Sequence, residues 1–264
     1  MSAEQSLFEQ LRDAIRAEVP VALATVVEGS FTGAKLIVGR DAESEGTLGN
    51  PDLDRVVTRD ARGELAAGRT GMRHYGLHGE AREEAVSVFI ESFAPPPAML
   101  IFGAVDFTAA LARVAKVLGY RVTVCDARAV FATKSRFPMA DEVVVDWPDR
   151  LLAAVGGELG ERDVVCILTH DAKFDVPAVV ASLATDVGYI GIMGSRRTHD
   201  DRTKRLVEAG VDEAGLARLR SPIGLDIGAR TPEETAVSIT AEIIARRTGR
   251  DARSLTVTEG PIHP

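Results

Sequence analysis

AMLIFGAVDFTAALARVAKVLGYRVTVCD, residues 98–126, is the stretch from which the fold is read. Met99 to Phe102 is an unbroken apolar run ended by Gly103, the pattern of a short strand buried on both faces. Phe107 to Leu118 then carries apolar residues at helical spacing, and Gly119 stops it. Val122 to Cys125 is a second strand, closed by Asp126. Downstream the alternation continues. Glu142–Asp146, Val164–Leu168 and Tyr189–Met193 read as strands, five in all, with helices at Asp149–Val155 and Asp175–Thr185 and a further one at Thr198–Ala209. Strands separated by helices require crossover connections, which predicts an α/β fold: a Rossmann-like parallel sheet with helices on both faces. Thr231-Pro232-Glu233-Glu234 signs the start of a last helix with an N-cap threonine, a proline at the first position and a glutamate three residues after the cap. Ala236, Ile239, Ile243 and Ile244 form its expected buried stripe, and Gly249 its end.

Upstream, Ala94-Pro95-Pro96-Pro97 cannot continue a helix or a sheet, because three prolines remove three backbone donors and fix φ. The boundary falls there: a small α+β domain over 1–93, a linker over 94–97, the Rossmann-like domain over 98–250 and a tail over 251–264. In the first domain Met1 to Glu18 reads as an amphipathic helix with Leu7, Leu11, Ala14 and Ile15 on one face. Val21–Val27, Lys35–Val38 and Val86–Glu91 read as strands, Gly68–Gly79 as irregular or strand-like, and a helix is expected from Asp52 onward.

The 264 residues, 45% of them hydrophobic, can build a sizeable core, and a formal charge of −8 offers no basic face for nucleic acid. The beginning lacks the basic, apolar and small-residue segments of a signal peptide, and no apolar run spans a membrane, so a cytoplasmic soluble protein is expected. Two cysteines, Cys125 and Cys166, each sit inside a β-like apolar run, which excludes a disulfide framework and fits two buried small hydrophobes. His74 and His78 are four apart, but Gly76 between them and the want of a third ligand argue against a metal. Trp147-Pro148 reads as a packing corner.

Four segments could carry chemistry. Gly103 and Ala104 stand at a strand–turn–helix junction where backbone N–H groups can meet a phosphate, and Asp126 ends the next strand, where a carboxylate can accept a ribose hydroxyl. Val105 occupies the place of a second glycine and Asp106 adds negative charge, so the segment reads either as a broken dinucleotide turn or as a plain tight turn. His170 and Asp171 follow the Val164–Leu168 strand, either as an acid–base or ligand-holding pair or as a helix cap beside a solvated histidine. Gly194, Ser195, Arg196 and Arg197 make a plausible anion clamp, since two guanidiniums at a helix start oppose the dipole unless an anion answers them. Ser221 to Arg230, with Gly224 and the lone acid Asp226, reads as a constrained loop, structural or functional.

Residues 98–247 resemble the Rossmann domain of the XdhC/CoxI family, through Val124 to Arg128, Arg136 to Asp141, Thr169 to Asp171, Tyr189 to Arg197, Pro222 to Gly228 and Thr231 to Ile239. The resemblance implies a chaperone that binds a molybdopterin-type molybdenum cofactor transiently and hands it to an apo molybdenum hydroxylase of the xanthine or carbon monoxide dehydrogenase type. It implies a cofactor site at Gly103, Ala104, Asp126, Arg128, His170, Asp171, Gly194 to Arg197, Gly224 and Asp226, with no catalytic or metal-ligating residue. A cysteine desulfurase and a second copy of the chain join the hydroxylase as expected partners, and NAD(P) is the alternative cofactor of an oxidoreductase. An interaction partner of the hydroxylase that holds no cofactor is the third reading. This chain departs from the family at Gly103-Ala104-Val105-Asp106, where Gly-Ala-Gly-His is usual. Gly29 to Ala34 lacks the usual Pro-Arg, Gly49-Asn50-Pro51-Asp52 replaces a glycine-rich Cys-Glu segment, and Glu83-Glu84-Ala85 stands where many members carry Cys-Gly-Gly. A thiol able to touch molybdenum is missing there.

Overall fold

In the computed structural model, which describes residues 6–80, 85–169 and 171–260, every apolar run of the 98–126 stretch forms the expected element. The chain divides into two units, Met1–Pro95 and Pro96–Pro264. In the second, β6 (Ala98–Phe102), β7 (Arg121–Cys125), β8 (Glu142–Val144), β9 (Val164–Ile167), β10 (Tyr189–Ile192) and β11 (Leu219–Arg220) form a parallel sheet in the order β11-β10-β9-β6-β7-β8. The chain steps outward from β6 through β7 to β8, then crosses back to β9 on the other side of β6. That reversal between β6 and β9 is the switch point of a Rossmann-type sheet, and folds of this type bind ligands in the crevice outside the carboxyl ends of such strands.

Both faces of this sheet are covered, which is why its strands are apolar throughout rather than alternating. Met99, Ile101, Val122 and Cys166 pack under α3 (Asp106–Val117) and α8 (Pro232–Thr248). Leu100, Phe102, Val165 and Ile167 pack on the opposite face, under α4 (Pro148–Val155), α5 (Ala172–Leu183) and α6 (Arg196–Glu208). Both cysteines are buried, and burial pushes the Cys125 thiol up to about 12 and the Cys166 thiol higher still. The capping box at Thr231 forms, with Glu234 reaching back to the Thr231 N–H.

Several boundaries differ from the sequence reading. A sixth strand, β11, follows α7 (Glu213–Arg218); two residues carry no periodicity, and only pairing with Ile190 and Gly191 defines it. α5 starts at Ala172, three residues early, because the Asp171 side chain caps it by accepting from the Lys173 N–H. α6 starts at Arg196, not Thr198, because Ser195 is its N-cap. Ile244 is 38% exposed and lies off the stripe of α8, whose buried residues include Ala236, Ile239 and Ile243. Trp147 N-caps α4, its ring 4.8 Å from that of Phe174.

The first unit is an antiparallel sheet in the order β3-β2-β1-β5-β4, from β1 (Val21–Glu28), β2 (Lys35–Gly39), β3 (Glu45–Thr47), β4 (Gly71–Tyr75) and β5 (Val86–Phe93). α2 (Pro51–Ala67) lays Leu53, Val57, Ala61 and Leu65 on one face of it, each four residues from the last. The strand β3 was not expected from the sequence. α1 (Leu7–Arg16) begins with a Ser6–Glu9 capping box, yet none of its residues is buried and Ile15 is 43% exposed. The first five residues of the helix expected over 1–18 lie outside the described ones, as do Glu83 and Glu84. His74 sits in β4 against Ser87, and His78 in the following turn against Asn50, so the two do not share a helix. Among the described residues no group of three metal-ligating side chains occurs, and no helix is long and apolar enough to cross a membrane.

Candidate functional site

The site is built from loops at the carboxyl ends of β6, β7, β9, β10 and β11. The turn after β6 is pinned from two sides. Gly103 has φ +112°, and a Cβ there would lie 2.9 Å from Thr169 Cγ2 and 3.0 Å from the Thr169 nitrogen, so only glycine lets the β6 and β9 loops meet across the switch point. The Gly103 N–H donates to the Cys125 carbonyl at 2.9 Å, and the Ala104 N–H to Asp126 Oδ2 at 2.8 Å.

Asp126 is buried and already holds four donors. Besides Ala104 it accepts from the backbone N–H and Nε of Arg128, each at 2.9 Å, and from Arg128 Nη2 at 2.7 Å. A carboxylate offers about four acceptor positions, so these fill it. Burial pushes the carboxyl up, but the hydrogen bonds from Arg128 and Ala104 outweigh it and hold Asp126 below its ordinary range. A ribose hydroxyl could reach Asp126 only by displacing Arg128, and a phosphate could reach the Ala104 N–H only by displacing Asp126. Val105 is the N-cap of α3 without a side-chain bond to the helix, and Asp106 is exposed.

Arg136 was not singled out as a site residue, although it lies in a motif that carries the resemblance. Its Nη1 donates to the carbonyls of Ala104 at 3.0 Å and Phe131 at 3.2 Å, and its Nη2 stands 3.6 Å from Asp106 Oδ1. The Arg128 guanidinium lies 4.7 Å from the Phe131 ring centre and that of Arg136 5.6 Å. The β6–β7 side of the crevice therefore sets two guanidiniums, answered by Asp126 and Asp106, against an aromatic ring. Asp171 lies near enough to Arg128 that each charge favours the other, and it also caps α5 and pairs with Lys173 at 3.3 Å. His170 lies outside the described residues.

A buried ion pair links the β9, β10 and β11 loops. Arg202 and Asp175, each 4% exposed, meet at 3.0 Å. Arg202 Nη2 also donates to the Met193 carbonyl at 2.9 Å, and Nη1 to Ser221 Oγ at 3.2 Å, while Thr169 Oγ1 donates to Asp175 Oδ1. The pair joins the loops after β9, β10 and β11, and Thr169 carries the linkage on to Gly103. Its trace in the sequence is an arginine four residues from Leu206 on the buried stripe of α6, a position that demands a buried partner.

Gly194 and Ser195 lead into α6, where Ser195 Oγ accepts from the Thr198 N–H at 3.2 Å. Arg196 and Arg197 occupy the exposed first turn, which holds no acidic residue, and they make no ion pair among the described residues. Gly224 is drawn away toward α8. Its N–H and the Tyr189 hydroxyl both donate to the buried Glu242, and a Cβ on Gly224 would lie 2.5 Å from Ser238 Oγ. Gly224 thus secures the loop, while Asp226 is exposed with no side-chain bond to another candidate residue among those described. The structure brings Gly103, Ala104, Asp126, Arg128 and Asp171 together; it sets Arg196 and Arg197 on their own helix start.

Comparison with known proteins matches residues 99–243 to the XdhC Rossmann domain and residues 14–76 to the XdhC and CoxI family. The chain belongs to the XdhC and CoxI family. Among curated relatives, a Bacillus subtilis (strain 168) protein named as a probable xanthine dehydrogenase subunit is 33% identical over 171 residues, covering 65% of this chain and 49% of that protein. The "Molybdenum cofactor insertion chaperone PaoD" of Escherichia coli (strain K12) is 29% identical over 99 residues, covering 38% of this chain and 31% of PaoD. The chain thus spans about half the length of the first and a third of the second. A crystal structure described as a xanthine dehydrogenase from Bacillus halodurans shares the fold, with a TM-score of 0.54, 23% identity, and coverage of 93% of this chain and 97% of that one. In this chain the turn that carries Val105 and Asp106 has its Ala104 N–H already committed to Asp126.

Proposed function

We propose that this chain is an accessory factor that holds a molybdopterin-type molybdenum cofactor in the cytoplasm and assists its insertion into an apo molybdenum hydroxylase of the xanthine or carbon monoxide dehydrogenase type. The observation that carries the reading is membership of the XdhC and CoxI family together with a relative named as a molybdenum cofactor insertion chaperone. The domain organisation belongs to the same reading: an N-terminal domain over 1–93, a linker over 94–97, the Rossmann-like domain over 98–250 and a tail over 251–264. A cysteine desulfurase and a second copy of the chain are its further partners.

The residues fit the anionic end of such a cargo. Arg196 and Arg197 present two guanidiniums in a first helical turn that holds no acidic residue, and guanidinium binds phosphate in bidentate fashion. Arg128 and Arg136, ordered by Asp126 and Ala104, line the crevice mouth. They do not fit the metal end: Cys125 and Cys166 are buried, and their raised thiol ranges keep both protonated. This chain therefore holds the cargo by its phosphate and pterin, while the molybdenum supplies its redox chemistry in the client enzyme. The test is fluorescence titration with released molybdopterin. Arg196→Ala with Arg197→Ala is expected to weaken binding by roughly 1.5–3 kcal/mol per lost contact. Unchanged affinity in a folded double variant removes the clamp from the reading.

The strand order favours a second reading, an NAD(P)-dependent oxidoreductase, because dinucleotides bind at such switch points. The occupied Ala104 N–H and the filled Asp126 oppose it. Calorimetry with NAD and NADP decides between the two: tight binding by the wild type restores the oxidoreductase.

A further inference from the structure

Beside the crevice, α6 carries further basic groups, of which the cofactor reading uses only Arg197. Arg197, Thr198, Asp201, Arg202 and Arg205 recur at helical spacing, and this face of α6 looks across a cavity of about 180 Å3 at the first turns of α5. Of the five charged groups lining the cavity, Asp175 is answered by Arg202 at 3.0 Å. Asp201 is approached by Lys204 at 4.0 Å. Arg197 and Arg205 make no ion pair among the described residues, so the cavity carries an uncompensated positive charge. A floor is fixed by Arg202, which is held by Asp175, Met193 and Ser221 and cannot swing out to neutralise anything else.

Size narrows the ligand. At about 180 Å3 the cavity falls short of the roughly 300 Å3 at which sites for organic cofactors begin. A tetrahedral oxyanion with a shell of water fits; a pterin or a nucleoside does not. We propose that the α5–α6 cavity is a site for a phosphate group, gripped by Arg197 and Arg205 with the Thr198 hydroxyl beside them. The inference shares Arg197 with the molybdenum reading but turns on Arg205, which that reading does not use, and on a group that inorganic phosphate alone can supply.

The experiment is calorimetry and phosphorus NMR on the full chain with inorganic phosphate, up to tens of millimolar, in a phosphate-free buffer. One phosphate per chain is expected, and Arg205→Gln is expected to weaken binding at least about tenfold, the loss of one charge-assisted contact. Phosphate should also raise the melting temperature of the wild type more than that of the variant. Should Arg205→Gln melt early, Arg205→Lys serves instead; it keeps the charge without the fork, and an intermediate affinity is expected. Phenyl phosphate separates the sources: binding as tight as phosphate identifies the end of a larger ligand, and its exclusion identifies the free ion. No binding by the wild type, or binding that neither substitution alters, overturns the proposal. Pterin capture that survives a failed phosphate titration overturns the cavity alone.

Discussion

Replacing Arg202 by methionine tests whether one ion pair organises the carboxyl-end loops. The change keeps an unbranched side chain of similar reach but removes the guanidinium from Asp175, the Met193 carbonyl and Ser221 Oγ. Both members of the pair are 4% exposed, so the abandoned Asp175 carboxylate has almost no access to water. Breaking a buried pair from one side costs about 3–5 kcal/mol, most of it the cost of the unanswered charge. At roughly 2–4 °C per kcal/mol for a unit of this size, the melting temperature should fall by about 6–20 °C. The sign of the double variant discriminates further. Arg202→Met with Asp175→Leu removes both charges, so it should melt well above Arg202→Met alone, although Thr169 Oγ1 then loses its acceptor. The assay is calorimetric or dichroism-monitored melting of four proteins at pH 7: the wild type, Arg202→Met, Asp175→Leu and the double variant. A single variant within about 2 °C of the wild type, or a double variant as unstable as the sum of the singles, refutes the reasoning.

Three further outcomes are expected. Gly103→Ala should destabilise by about 1–3 kcal/mol, because φ is +112° and the new Cβ would press on Thr169; denaturant midpoints measure it, and a wild-type midpoint would show that the β6 and β9 loops part freely. Asp126 has a folded pKa below its unfolded value of about 3.9, so its contribution is full above that value and is lost as pH falls through the folded pKa. Asp126→Asn should therefore be less stable at neutral pH, with the difference narrowing below about pH 4; a gap that stays constant to pH 2 would rule this out. Neither cysteine should react with a thiol reagent in the native state, and both should react after denaturation; a fast native reaction at either would contradict their burial.

Much was legible in the residues alone because its causes are local. Gly103 and Gly119 bracket α3, Thr231-Pro232-Glu233-Glu234 starts α8, and continuous apolar runs announce strands covered on both faces. Helical and strand periods act over a few residues, so the order of elements and the α/β class follow from the chain as written. The family, too, was readable, since its motifs are contiguous. What the tertiary structure decided lies between distant segments. That β6 stands at the centre, with β9 returning on its far side, depends on crossovers that no local pattern encodes. β11 is a strand only because Ile190 and Gly191 supply its hydrogen bonds. Asp126 looked open to a ribose; the fold delivers the Ala104 N–H, 22 residues away in the chain, and turns Arg128 back onto it. Arg202 and Asp175 stand 27 residues apart, and only the packing of two helices brings them face to face in the interior. The physical reason is the same in each case. A charge or donor is committed by whichever partner the folded backbone brings within about 3 Å, and that proximity belongs to the path of the whole chain.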